Sequence, residues 1–128
     1  MLVSIAWALN VQVTQGPNLA ASGQADVDAY DKVNVTIAAG AADKSVELQP
    51  GGSGQVRFLL IRSDVYGDGL TYKVNSTANP AHALNDFLLL AGRGGVALLD
   101  AAPNSLLFSN TLTQDAAVEI LIGRRATT

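Results

Sequence analysis

The sequence predicts an all-β domain, a jelly-roll-like β-sandwich of about eight short antiparallel strands. Three observations carry that expectation. Apolar and polar residues alternate in run after run, and no run shows the i, i+3, i+4 spacing of an amphipathic helix. Turn-forming residues recur about every eight to twelve positions, as in all-β sandwiches. The chain of 128 residues is 48 % hydrophobic and only 15 % charged, so one core can form without staples. A single domain spanning 1–128 follows.

Ile5, Trp7, Leu9, Val11 and Val13 alternate with Ala6, Ala8, Asn10 and Gln12, which predicts a first strand with Trp7 buried. Gly16-Pro17-Asn18 ends it, because proline cannot donate to a ladder. Leu19–Lys32 reads as a polar connection carrying Asp26, Asp28 and Asp31. Val33, Val35 and Ile37 mark a second strand, Ala39–Asp43 a turn, and Val46 and Leu48 a short third strand. Pro50-Gly51-Gly52-Ser53-Gly54 is a flexible loop.

The run Val56–Ile61 is apolar at consecutive positions Phe58, Leu59, Leu60 and Ile61, which predicts a central strand covered on both faces. Ser63–Gly69 then reads as a hairpin turn with Asp68-Gly69 as its strongest signal. Leu70, Tyr72 and Val74 against Thr71, Lys73 and Asn75 give a half-buried strand. Ser76–Asn85 has room for one helical turn. Phe87–Ala91 is a buried strand, Gly92–Gly95 a turn and Val96–Leu99 a short apolar run. Leu106–Ser109 and Val118–Gly123 are the last strands, separated by a polar turn at Asn110–Asp115. Arg124–Thr128 reads as a loose tail.

Composition narrows the partners. The net charge is −3 and no basic stripe exists, so no nucleic-acid partner is expected. There is no cysteine, which removes disulfides, thiolate metal sites and a cysteine nucleophile. No run approaches the ~20 apolar residues of a membrane-crossing helix, and no membrane partner is expected.

Candidate chemistry is sparse. Asp64 and Asp68 among glycines suggest a calcium loop, but the alternating ligand spacing and terminal glutamate of an EF-hand are missing; turn geometry explains both. Asp26, Asp28 and Asp31 sit among polar neighbours with no apolar pocket to raise a carboxyl pKa. His82 is the one histidine and has no nucleophile elbow to serve. Gly92-Arg93-Gly94-Gly95 lacks the lysine and hydroxyl of a phosphate loop. Tyr30 and Tyr66 are the aromatics expected in loops, fewer than a sugar-binding platform uses. No catalytic, metal or cofactor-binding residue is assigned.

The segments Phe87–Gly92, Gly95–Asp100, Pro103–Thr111 and Val118–Arg124 resemble, in size, composition and strand rhythm, the small β-sandwich structural proteins of tailed bacteriophage virions, in particular head decoration (cement) proteins. That resemblance implies a non-enzymatic homo-oligomer, with a trimer favoured. It would be made in the host cytoplasm, bind the major capsid protein and sit on the virion surface. It carries over no functional residue. Partner contacts are expected from the polar segments, at Asp26, Asp28, Tyr30, Asp31, Tyr66, Arg124 and Arg125, with Leu19–Lys32 and Ala126–Thr128 as ends that order on contact. The alternative is a phage tail or fibre module, or a carbohydrate-binding sandwich that recognises glycans through its loops.

Overall fold

The computed structural model describes residues 3–48, 56–99 and 103–125. The Pro50–Gly54 loop and Ala126–Thr128 lie outside the described residues. The strands are β1 (Val3–Gln12), β2 (Asn18–Val27), β3 (Ala29–Ile37), β4 (Lys44–Glu47), β5 (Val56–Ser63), β6 (Gly67–Val74), β7 (His82–Leu84), β8 (Leu88–Ala91), β9 (Ser105–Asn110) and β10 (Ala116–Arg124), with one short helix, α1 (Gly92–Val96), after β8.

Eight strands form a sandwich of two four-stranded sheets, ordered β3-β10-β5-β8 and β4-β9-β6-β7. Their pairing is nested. β3 pairs with β10, β4 with β9, β5 with β8 and β6 with β7, all antiparallel. Two further pairings, β10 with β5 and β6 with β9, complete the sheets. Within the sandwich only β6 and β7 are neighbours in both sequence and space; every other link changes sheet.

The core lies between the sheets. Alternation sends Val118, Ile120 and Ile122 of β10 and Leu59 and Ile61 of β5 inward, onto Leu70, Tyr72, Val74, Leu106 and Phe108 of the opposite sheet. Phe108, Ile61, Leu70 and Ile120 are fully buried. With few aromatics, the core relies on interdigitating aliphatic side chains, where each methylene contributes about 0.8 kcal/mol.

β1 and β2 stand outside the sandwich as a separate two-stranded ribbon. Ten residue pairs run in unbroken register from Val3↔Val27 to Gln12↔Asn18, so the ribbon is about 34 Å long at ~3.4 Å per residue. This corrects the reading of Leu19–Lys32 as a connection: it is β2 followed by the start of β3. Asn18–Gly23 alternates poorly, and only its partner strand makes it legible. The first strand is present, but as half of an arm, and Trp7 is half-buried.

Other expectations shift in the same way. The Ser63–Gly69 turn is a crossing between sheets, because β5 and β6 do not pair, and Asp68-Gly69 lies inside β6. Ser76–Asn85 holds the short strand β7, which places His82 beside Tyr72, ring centres 5.5 Å apart. Gly92–Gly95 opens α1 and does not form a hairpin turn. β5 is central, but only its inner face is covered along its length. On the outer face Phe58 is buried at the arm's seat while Leu60 is half-exposed and Arg62 exposed, which corrects the expectation of cover on both faces.

The loops at one end are tied by Asn110, the one buried polar residue among the described residues. Its amide nitrogen donates to the Ile37 carbonyl at 3.0 Å and the Gln114 carbonyl at 2.9 Å. Its side-chain oxygen accepts from the Leu112 N–H at 2.9 Å. Three backbone groups thus depend on one side chain, and a buried group left unpaired costs ~1–3 kcal/mol. Asn110→Ala should lower stability by about 3 kcal/mol in a urea titration; a loss under ~1 kcal/mol would show that water replaces the amide without cost.

Candidate functional site

The feature that departs from a plain sandwich is the arm. Its register sorts the side chains by face. Val3, Ile5, Trp7, Leu9 and Val11 share one face with their partners Val27, Ala25, Gly23, Ala21 and Leu19. The other face carries Ser4, Asn10 and Gln12 with Asp26, Gln24, Ser22 and Asn18. One face is therefore wholly apolar along its length. From Val3 to Ala25 there is no charged residue.

The base of that apolar face seats on the outer side of the β3-β10-β5-β8 sheet. Gly123 of β10 makes the seat: a Cβ there would lie 2.7 Å from Ile5 Cδ1 and 3.0 Å from Val27 Cγ1. Phe58, opposite Gly123 on the outer face, is only 2 % exposed, although it does not belong to the core between the sheets. Trp7 folds its indole over Gly23, its cross-strand partner, where a Cβ would meet the ring at 2.5 Å. This is the stacking of an aromatic ring over a strand glycine that pins register in a ribbon. Trp7, Gly23 and Ala25 then border a cleft with Arg57, Ala91, Gly92 and Arg125.

Polar contacts fix the same base. Asp26 accepts from Ser4 Oγ at 2.8 Å and Gln24 Nε2 at 3.0 Å. Those two hydrogen bonds, Gln24 first, hold its carboxyl below the ordinary value of 3.8. The Asp28 N–H donates to the Arg124 carbonyl at 2.8 Å, and Arg125 Nε lies 3.4 Å from Asp28 Oδ2. Tyr30, opposite Gly123, is 53 % exposed. Thus Asp26, Asp28, Tyr30, Arg124 and Arg125, singled out separately in the sequence, gather around the foot of the arm. They lie on strands or beside them, not in mobile loops.

Asp31 and Tyr66 do not join them in the same way. Asp31 is opposite Ile122 on the inward face of the edge strand β3. Tyr66 lies at the other end of the outer face, beside Arg62, Asp64, Ala117 and Glu119, and its hydroxyl accepts from the Ser63 N–H at 3.1 Å. Ala117 and Arg124 are seven residues apart on β10, about 24 Å. Asp64 and Asp68 have different partners: Asp64 Oδ1 accepts from the Ala117 N–H at 2.8 Å, while Asp68 Oδ1 accepts from Asn85 Nδ2 at 2.9 Å. Among the described residues no three His, Asp or Glu side chains come together as a metal site. No described helix is long and apolar enough to cross a membrane.

Next to the arm's seat, cross-strand neighbours Leu121, Leu60 and Leu89 form a half-exposed leucine row on the outer face. The row beyond it is polar. Glu119 bridges Lys32 at 2.9 Å and Arg62 at 2.8 Å. Hydrogen bonds from Lys32 and then Arg62 hold the Glu119 carboxyl below its ordinary value of 4.5. Residue-by-residue reading missed Gly23, Gly123 and the leucine row. The signal that could have found the row is the unbroken Phe58–Ile61 run, whose outward members demand a cover.

Two expected outcomes follow. Gly123→Val should lift Ile5 and Val27 from their seat, with an overpacking loss of about 1–3 kcal/mol and a red shift of Trp7 fluorescence; Trp7 is the one tryptophan. Unchanged emission would mean that the arm seats without that gap. The Glu119 link is present above the unfolded-state pKa and is lost as pH falls through the lower folded-state value. Glu119→Gln should therefore flatten the fall in urea midpoint below pH ~4.5, and an unchanged acid slope would contradict the assignment.

Comparison of the chain with protein-family models, curated proteins and solved structures returns no match.

Proposed function

We propose that the chain is a non-enzymatic virion structural protein, a decoration or cement protein with a jelly-roll topology that adds to an assembled phage shell and stabilises it as a homo-oligomer, with a trimer favoured. The single observation that carries the assembly part is the arm, a ribbon without a charged residue from Val3 to Ala25, whose apolar face is seated on its own sheet at the base and open toward the tip. Leu19 at 70 % and Val13 at 53 % exposure are the kind of surface that a subunit contact hides. The nested strand order supports the jelly-roll part, since it is the order of a long antiparallel hairpin rolled up once. The virion, the major capsid protein as partner and the capsid surface as location rest on the resemblance in size, composition and strand rhythm.

A cement protein uses broad contacts in place of a deep pocket. The gathered foot of the arm, with Asp26, Asp28, Tyr30, Arg124 and Arg125, is the polar surface we assign to the shell. The alternative, a tail, fibre or glycan-binding module, finds its support in Tyr66 and the open depression beside Asp64 and Arg62, where one exposed ring could stack on a sugar.

Light scattering on the purified protein should give the mass of three chains, and adding the protein to shells that lack it should raise their disruption temperature. A monomer that leaves the shell equally fragile would overturn the cement reading. Retention on a glycan array under those conditions would favour the alternative.

A further inference from the structure

We propose that the open half of the arm's apolar face, Leu9, Val11 and Leu19, is covered by a second copy of this chain and lies on the neighbour's leucine row, Leu121–Leu60–Leu89. This deepens the oligomeric part of the reading above and rests on that part alone, not on the virion.

The first argument is continuity. The same ribbon face is buried at its base, where Ile5 and Val27 close over Gly123. Beyond the Trp7↔Gly23 pair the surface around Leu9 and Ala21 is bordered by arm residues only. The alternation does not stop there: Leu9, Val11, Leu19 and Ala21 keep to the apolar face. A pattern of period two records a covered face, and here none of the described residues outside the arm supplies the cover. Among the stretches outside the described residues, 49–55, 100–102 and 126–128 contain only small or polar side chains, and residues 1–2 precede the arm's base.

The second argument is the condition of the edges. The sandwich protects its own. Asp31 points inward from edge strand β3, β4 and β7 are four and three residues long, and α1 follows directly on β8. Short strands, inward charges and covering elements are the ordinary defences of a sheet edge. The ribbon has none of them: it is ten residues long on each side, uncharged to Ala25 and without a bulge. An isolated two-stranded ribbon is marginal in water, and three strands or a packed face are needed for stability.

The third argument is what awaits it. An outer sandwich face is normally polar, yet Leu121, Leu60 and Leu89 lie in register across three strands beside the seat already used. One overhang is about 20 Å long and ~10 Å wide, a footprint of roughly 200 Å², well under the ~800 Å² per partner of a stable interface. Each copy therefore gives one arm and receives one, with adjoining body surface adding the rest. A cyclic exchange of that kind closes a ring.

A lipid surface fits less well. The tip, Thr14-Gln15-Gly16-Pro17-Asn18, is polar, the tryptophan sits at the base, and open strand edges are not stable in hydrocarbon.

The cysteine-free chain allows a direct test. Leu19→Cys and Leu89→Cys are made as separate single variants, mixed and oxidised mildly, while light scattering follows wild type and Leu9→Asp. The expected result is an oligomeric wild type, a mixed Leu19–Leu89 disulfide between chains, and a Leu9→Asp protein at least tenfold weaker in association with unchanged circular dichroism; Leu19→Asp serves as the second variant if Leu9→Asp misfolds. A monomeric wild type overturns both this interface and the oligomeric reading. An oligomer without the mixed disulfide, and unmoved by either aspartate, overturns the interface and leaves the oligomeric reading standing. A wild-type monomer that partitions onto phosphatidylcholine vesicles through the arm assigns the face to lipid and overturns the proposal.

Discussion

β10 is the strand on which the other parts converge. It pairs with β3 on one side and β5 on the other, drives Val118, Ile120 and Ile122 into the core, and turns Gly123 outward as the seat for the arm. It is also the last described strand of the chain. The first strand of the sandwich thus waits for the last before its sheet closes, and most pairings span long sequence separations. Such topologies fold slowly, because loop-closure entropy is spent before the contacts form. Until β10 docks, β3 and β5 lack the ladder partner that joins them and the arm lacks its seat at Gly123.

The outer face of the same sheet grades from apolar to polar along β10. Gly123 and Phe58 lie under the arm, and Leu121, Leu60 and Leu89 lie half-open beside it with Lys32 at the β3 end of their row. Asn34, Glu119 and Arg62 form the polar row beyond, Glu119 pairing with Arg62 and, diagonally, with Lys32. Exposed pairs of this sort contribute little stability; what they supply is a hydrated boundary that limits how far an apolar partner can spread. In the proposed assembly, the half-open leucines of this gradient are the strip that a neighbour's arm would occupy.

Much of the sandwich was legible because period two is a local signal. β3, β6 and β10 follow from alternation, β9 from its short apolar run, and the central place of β5 from the run Phe58–Ile61, although its outer face is covered only at Phe58. What stayed hidden was which element covers which face. Trp7 read as buried because alternation reports a covered face without naming the cover. β2 was invisible because Ala20, Ala21, Ser22 and Gly23 are small, and small residues alternate without contrast; only pairing with β1 defines them. The crossing at Ser63–Gly69 read as a hairpin because Asp-Gly supplies the same backbone freedom to either connection. The candidate site was seen as scattered polar residues, and the fold brings five of them to the arm's foot through register that no single strand encodes.

The central claim is that the arm's distal half gains its cover from another copy, and amide hydrogen exchange as a function of protein concentration tests it most directly. Protection at 8–12 and 19–22 should rise as concentration crosses the association range, while the amides of β5 and β10 in the core keep constant protection. Distal-arm protection that is already at the level of β10 in dilute protomer, or that stays low at every concentration, would contradict the account.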